Sequence, residues 1–298
     1  MFTLMMKGLA VGLLGGFAFS ATAWAADKVP VFVSIAPQKF FVEQIGKDLV
    51  EVHVMVEPGA SPHTYEPKPR QMEAVSIARI YFAVGVTFEK TWLKRIRQSN
   101  PRMVVVHTEH GIEKLPMVAH HHHDEGKHRE KHHHDHGALD PHIWLSPPLV
   151  MVQARNILRA LQELDPAHRS VYEVNYKAFM TILMDLDGEL RSILAGKKGI
   201  PFMVFHPAWG YFAEAYGLEQ IPIEIEGKDP KPAQLKKLID HARKHNIRVV
   251  FVQPQFSSKS AEQVAREIGG QVAFVDPLAL NWADNLREVA AKFKGATE

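Results

Sequence analysis

Nine of the eighteen histidines lie in one tract, His120 to His136, which reads HHHHDEGKHREKHHHDH. Imidazole is the commonest side-chain ligand for zinc, copper and nickel, so metal is the first chemistry this chain suggests. A flexible histidine run is rarely a precise site, however, and a tight one needs donors held in fixed geometry. Outside the tract three histidines stand beside proline: His63 in PGASPHTYEP, His142 in DPHIWLSP and His206 in FMVFHPAWGYF. Asp276 stands in VAFVDPLA. Proline fixes the local backbone and limits the entropy lost on ordering a neighbouring side chain. Three imidazoles and one carboxylate make a four-coordinate N3O set that suits zinc and accepts other divalent first-row ions. Taken singly, a histidine beside proline is more often a plain loop residue, and an aspartate before proline a turn or cap. The signal lies in the combination, because no local pair such as His-x-x-x-His carries it.

The elements that must position these residues alternate. Apolar, β-rich runs occur at Val29–Ile35, Leu49–Val56, Arg79–Val84 and Met103–His107, and again at Phe202–Phe205, Gln220–Ile225, Ile247–Val252 and Gln271–Val275. Helical patterns intervene, among them Pro37–Lys47, Lys68–Ala78, Tyr211–Tyr216, Pro232–His245 and Lys259–Ile268. Two such series predict two α/β lobes with parallel sheets. Ligands of parallel sheets bind outside the carboxyl ends of the strands. His63 and His142 would come from the first lobe, His206 and Asp276 from the second, meeting in the cleft between them. Between the series, Ala167–Ala195 is free of proline, and Val171, Val174, Ala178, Ile182, Leu186, Leu190 and Ile193 recur at helical spacing. With Asp165 as N-cap and Pro166 at the first helical position, this predicts a stiff connecting helix about 40 Å long.

Residues 1–25 read as an export leader. Lys7 supplies the positive start, Gly8–Phe19 the apolar run and Ala23-Trp24-Ala25 the small-x-small cleavage pattern. A periplasmic location follows. The absence of cysteine excludes disulfides and thiolate ligands. A formal charge of +2 gives no argument for nucleic acid or for a membrane surface. The expected organisation is a leader (1–25), an N-terminal α/β lobe (26–148) with a polar, disordered histidine-rich loop (112–139), a helical linker (149–195) and a C-terminal α/β lobe (196–298). A monomer is expected.

The segments SPHTYEP, DPHIWLSP, VFHPAWGYF, EGKDPKP (Glu226–Pro232) and VDPLA together resemble the metal-specific substrate-binding proteins of bacterial ABC importers. The acidic, histidine-rich loop just before DPHIWLSP resembles the zinc-uptake (ZnuA-type) branch. The resemblance runs through essentially the whole mature chain. It implies two α/β lobes, each with a four-stranded parallel sheet flanked by helices, joined by one long backbone helix with the metal in the interdomain cleft. It implies His63, His142 and His206 as ligands, with Asp276 matching the family aspartate. Glu57, Glu66 or water are the substitutes for Asp276. An imidazole at His206, where manganese-preferring relatives carry glutamate, moves preference toward zinc and makes manganese the lesser cargo. The function implied is capture of periplasmic Zn²⁺ and delivery to an ABC-type membrane permease, with no reaction catalysed.

Two other functions fit the same residues less well. A zinc-dependent periplasmic hydrolase would need an open coordination position and a general base, and no His-Glu-x-x-His motif supplies one. A metal buffer built on the tract would not need two lobes. Trp144 and Trp209, close behind two of the histidines, are expected to pack around the site and exclude water. His53 sits in an alternating strand pattern. His241 and His245 lie on a basic helix face, expected to be solvated. Zinc affinity is expected to fall as pH drops through about 6.5, the free imidazole value.

Overall fold

Two short series of valine- and phenylalanine-rich strands build two parallel sheets of the same topology. The computed structural model describes residues 28–117, 139–224 and 228–296. The expected leader and the histidine tract lie outside the described residues, as does Glu226. Strands β1 (Val29–Val33), β2 (Val50–Val54), β3 (Ile80–Ala83) and β4 (Val104–His107) pair in the order β2-β1-β3-β4. Strands β5 (Pro201–Val204), β6 (Glu219–Pro222), β7 (Val249–Val252) and β8 (Gln271–Phe274) pair in the order β6-β5-β7-β8. Every pairing is parallel. Strands β3 and β7 are buried along their whole length, which is why they read as unbroken apolar runs. The edge strand β2 alternates instead, with Val50 and Val52 buried and Glu51 and His53 exposed. In each sheet the strand order reverses beside its first strand, between β1 and β3 and between β5 and β7. A crevice opens there at the carboxyl ends.

Nine helices flank these sheets among the described residues: α1 (Ala36–Gly46), α2 (Pro69–Val75), α3 (Thr87–Ser99), α4 (Pro147–Leu164), α5 (Arg169–Ile193), α6 (Gly210–Tyr216), α7 (Pro232–Lys244), α8 (Lys259–Glu267) and α9 (Trp282–Gly295). Helices α3 and α9 go beyond those named from sequence, and α4 falls in the segment expected as a helical linker. Helix α4 opens on Pro147 and Pro148, which suit a first helical turn, where the N–H has no intrahelical partner.

The long helix differs from expectation at its start and on its buried face. Pro166–His168 form a 3-10 turn, and the α-helix begins at Arg169. Asp165 makes no side-chain cap bond; its Oδ2 accepts from the Tyr172 hydroxyl at 2.8 Å and pairs with His168 Nδ1 at 2.7 Å. The buried face is Tyr172, Phe179, Leu183, Leu186 and Leu190. The expected stripe shares only Leu186 and Leu190 with it, and Val174 is 66 % exposed. The chain is apolar over a wide arc here, and the larger aromatic rings win the interior. Phe179 packs against Phe40 and Phe41, with centroids 5.9 and 6.1 Å away.

Helix α9 ties the two halves together. Trp282 at its start sits 4.9 Å from the Phe41 ring, and Phe293 near its end stacks on Phe202 at 4.3 Å under the second sheet. One continuous core therefore takes in both faces of the first sheet, the inner faces of α4, α5 and α9, and Phe202, Val204, Val249 and Phe251 of the second sheet. A second, smaller core fills the outer face of that sheet under α7 and α8. Aromatic contacts of this kind each add about 0.5–1.5 kcal/mol beyond area burial. The connection between the lobes is packed core rather than a pair of loop hinges, which makes for a stiff frame around the cleft.

Candidate metal centre

His63 sits in the loop that leaves β2. Prolines 58, 62, 67 and 69 stiffen this segment. The Pro62 carbonyl accepts from Phe88 N at 3.1 Å, the His63 amide donates to Ser61 Oγ, and Gln71 Nε2 holds the Met55 carbonyl at 2.6 Å. His142 opens a 3-10 turn, Ile143–Leu145, directly before α4. His206 follows β5 at the switch point of the second sheet. Gln253, beyond the end of β7, accepts from the His206 amide at 3.2 Å and donates to its carbonyl at 2.7 Å.

The three rings converge. His63 Nε2 lies 3.0 Å from His206 Nε2, which lies 3.4 Å from His142 Nε2, and the three donor atoms are all within 4.8 Å of one another. Two nitrogens bound to a tetrahedral zinc at about 2.05 Å stand about 3.3 Å apart, a value that the 3.0 and 3.4 Å spacings bracket. His142 and His206 are buried and His63 half-buried. The cavity among them has a volume of about 10 Å³, the size of one water or one ion.

Each ring is also held from behind. His142 Nδ1 is 2.7 Å from Asp140 Oδ1, His206 Nδ1 is 2.7 Å from Glu224 Oε1, and His63 Nδ1 is 3.1 Å from Thr87 Oγ1. An ionised carboxylate only accepts, so Nδ1 of His142 and His206 carries the proton and Nε2 presents a lone pair. Asp140 and Glu224 are 3 % and 6 % exposed. Among the described residues neither carboxylate is within 4.0 Å of a lysine or arginine. Two buried anions behind neutral imidazoles are costly as they stand, and a divalent cation between the rings balances both. This backing also orients the rings and raises their basicity toward metal.

Burial, first, and the neighbouring rings of His206 and His142 push the His63 imidazole down to about 3. Burial also lowers His206, against the opposing effect of its hydrogen bond to Glu224. The unfolded chain takes up its protons near pH 6.5. Below that pH the unfolded state binds protons that the folded state refuses, so stability is full above about 6.5 and falls toward 3. Each such ring draws up to about 1.4 kcal/mol per pH unit, and the half-buried His63 less. The metal-free protein is expected to melt at a lower temperature at about pH 5 than at about pH 7.5, with a smaller drop in His63→Phe. Proton competition for metal also begins below the free imidazole value, so affinity at pH 6 is expected to be retained better than unperturbed histidines would allow.

Asp276 lies outside the group of three. Its Oδ1 accepts from the Leu278 amide at 2.9 Å and from Gln255 Nε2 at 2.8 Å. Glu57 pairs with Lys68 at 2.6 Å, and Glu66 is exposed. Trp144 does line the cavity, its ring 5.1 Å from that of His142. Trp209 instead lies in the core against Phe212 and Phe293. Sequence reasoning did not assign Asp140, Glu224, Thr87 or Gln253. Asp140 stands two residues before His142 in the same motif and was within reach. Glu224 gave no local signal.

The base of the histidine-rich loop adjoins this centre. Pro116 and Leu139 form an isolated antiparallel bridge, and Tyr211 Oη accepts from Leu115 N and donates to the Asp140 carbonyl, each at 2.9 Å.

Comparison with known proteins gives a consistent picture. Residues 31–296 match a family model described as zinc-uptake complex component A, periplasmic. The chain is 32 % identical over 256 residues to the high-affinity zinc uptake system protein ZnuA of Bacillus subtilis (strain 168), covering 85 % of this chain and 79 % of that one. A crystal structure of ZnuA superposes with a TM-score of 0.84 at 44 % identity, covering 91 % of this chain and all of that one. A ZnuA deletion mutant crystallised with zinc bound superposes with a TM-score of 0.82, also at 44 % identity, covering 91 % of this chain and 98 % of that one.

Proposed function

The chain belongs to the family of periplasmic zinc-uptake component A proteins, and from that premise we propose that it captures Zn²⁺ in the periplasm and delivers it to an ABC-type membrane permease. His63, His142 and His206 bind the ion through Nε2. Asp140 and Glu224 hold two of the rings and balance its charge. The observation that carries this reading is the convergence of three Nε2 atoms backed by two buried, otherwise uncompensated carboxylates. Three neutral nitrogens favour zinc over manganese, which prefers oxygen.

The chain is a carrier, and the family match supports that reading over a zinc-dependent hydrolase. Export follows from the leader 1–25. The lobes 26–148 and 196–298 and the linker 149–195 frame the cleft, and α9 bridges them. The histidine tract collects zinc weakly and in several places. The protein acts as a monomer.

Replacing His206 with glutamate is expected to lower the ratio of zinc to manganese affinity by about tenfold or more, because a hard anionic oxygen replaces imidazole. Parallel competition titrations with the two metals measure this. An unchanged ratio would remove His206 from the coordination sphere. Delivery is tested by radioactive zinc accumulation at limiting zinc in cells that lack the chain. Wild type is expected to restore uptake and His206→Ala to fail.

A further inference from the structure

Three imidazoles leave one corner of a tetrahedron open, and one residue of the cavity wall carries an oxygen without a partner. Among the described residues lining the cavity, Gln255 Oε1 is the one buried side-chain oxygen without a hydrogen-bond partner. Ser61 Oγ already accepts the His63 amide, and the Trp144 indole is a donor committed to the Pro277 carbonyl at 2.7 Å. The orientation of the Gln255 amide is fixed by its other end. Its nitrogen lies 2.8 Å from Asp276 Oδ1, and a carboxylate only accepts. Nε2 therefore faces Asp276 and Oε1 faces away from it. Asp276 is itself held on two sides, by the Leu278 amide on Oδ1 and by Asn285 Nδ2 on its main-chain carbonyl, at 2.9 and 2.8 Å. The space between the rings, about 10 Å³, is of the order of a single ion, and a donor already in the wall would complete the sphere.

We propose that Gln255 Oε1 is the fourth zinc ligand and that Asp276 is the positioning residue that aims it. This rests on the assignment of His63, His142 and His206 as the other three. The coordination sphere then consists of four neutral donors. Its compensating charge sits one hydrogen bond further out, on Asp140 and Glu224. A neutral amide holds zinc less tightly than an anionic oxygen would, which keeps the carried ion releasable and gives Asp276 a function without direct contact.

A crystal structure of the full chain with zinc tests this. Zinc on three imidazoles with Gln255 Oε1 at about 2.0–2.2 Å is the expected result. A water or an Asp276 oxygen in the fourth place overturns the proposal and leaves the three-histidine site standing. Zinc bound away from the three imidazoles overturns that site as well. In solution, Gln255→Leu is expected to bind zinc about 10- to 100-fold more weakly in a competition titration, less than the loss of an imidazole because a neutral amide oxygen is the weaker donor to zinc. Its cobalt-substituted form should show shifted visible absorption bands. An unchanged affinity, or a weakened one with unchanged bands, counts against ligation by Gln255.

Discussion

Replacement of His206 by alanine is expected to weaken zinc binding by about 10²- to 10³-fold. A four-ligand zinc site releases about 10–16 kcal/mol in all. The average share is about 2.5–4 kcal/mol per ligand, and an imidazole carries at least that share, which converts to that range. His206 carries the effect most directly because its Nε2 faces both other rings, at 3.0 and 3.4 Å. Its backbone is clamped through both N–H and C=O by Gln253, so the alanine variant keeps the strand end in place. The deletion also leaves Glu224 buried without its imidazole partner. For that reason His206→Gln is the better control for stability, since its amide can donate to Glu224. A competition titration against a chelator of known affinity gives the number. A loss of less than about fivefold in both variants would mean that zinc is held elsewhere.

The carboxylates behind the rings should matter almost as much. Asp140→Ala and Glu224→Ala are each expected to cost about 10- to 100-fold in zinc affinity, the usual effect of removing the group that orients a ligating imidazole. Neither residue touches the ion. Asp140 Oδ1 accepts from both the amide and the ring of His142, at 2.9 and 2.7 Å, so its loss frees the backbone turn as well as the ring. Glu224 fixes only the ring of His206. The Asp140 variant should therefore lose more affinity and more thermal stability than the Glu224 variant. Equal effects on affinity with no effect on stability would assign both carboxylates a purely electrostatic role. Conservative Glu224→Gln removes the charge but keeps an acceptor, and separates that contribution from orientation.

The sequence made the three histidines legible because each stands beside a proline, and His206 directly follows a strand run. The parallel-sheet rule then put them at one end of their sheets. Asp276 obeyed the same rules, yet its Oδ1 accepts from both Leu278 and Gln255. Residue type and position were visible, but the competition for its lone pairs was not. Glu224 was invisible because its pairing with His206 spans eighteen residues and depends on how the chain leaves β6. The central strands were readable because buried parallel strands are unbroken apolar runs, and the edge strand β2 because it alternates. The buried face of α5 was not, since Val174 and Phe179 both fit helical spacing and only packing against Phe40 and Phe41 decides between them. The continuity of the core through α9 had no sequence signal, because it depends on Trp282 and Phe293 reaching different halves of the molecule.

The central claim is that the tight zinc site is the dispersed set His63, His142 and His206, apart from the histidine tract. Calorimetric titration of a variant lacking residues 120–136 with zinc tests it most directly. One tight equivalent retained in that variant, and lost when His206→Ala is added, is the predicted result. Loss of all tight binding on removal of the tract alone would contradict it.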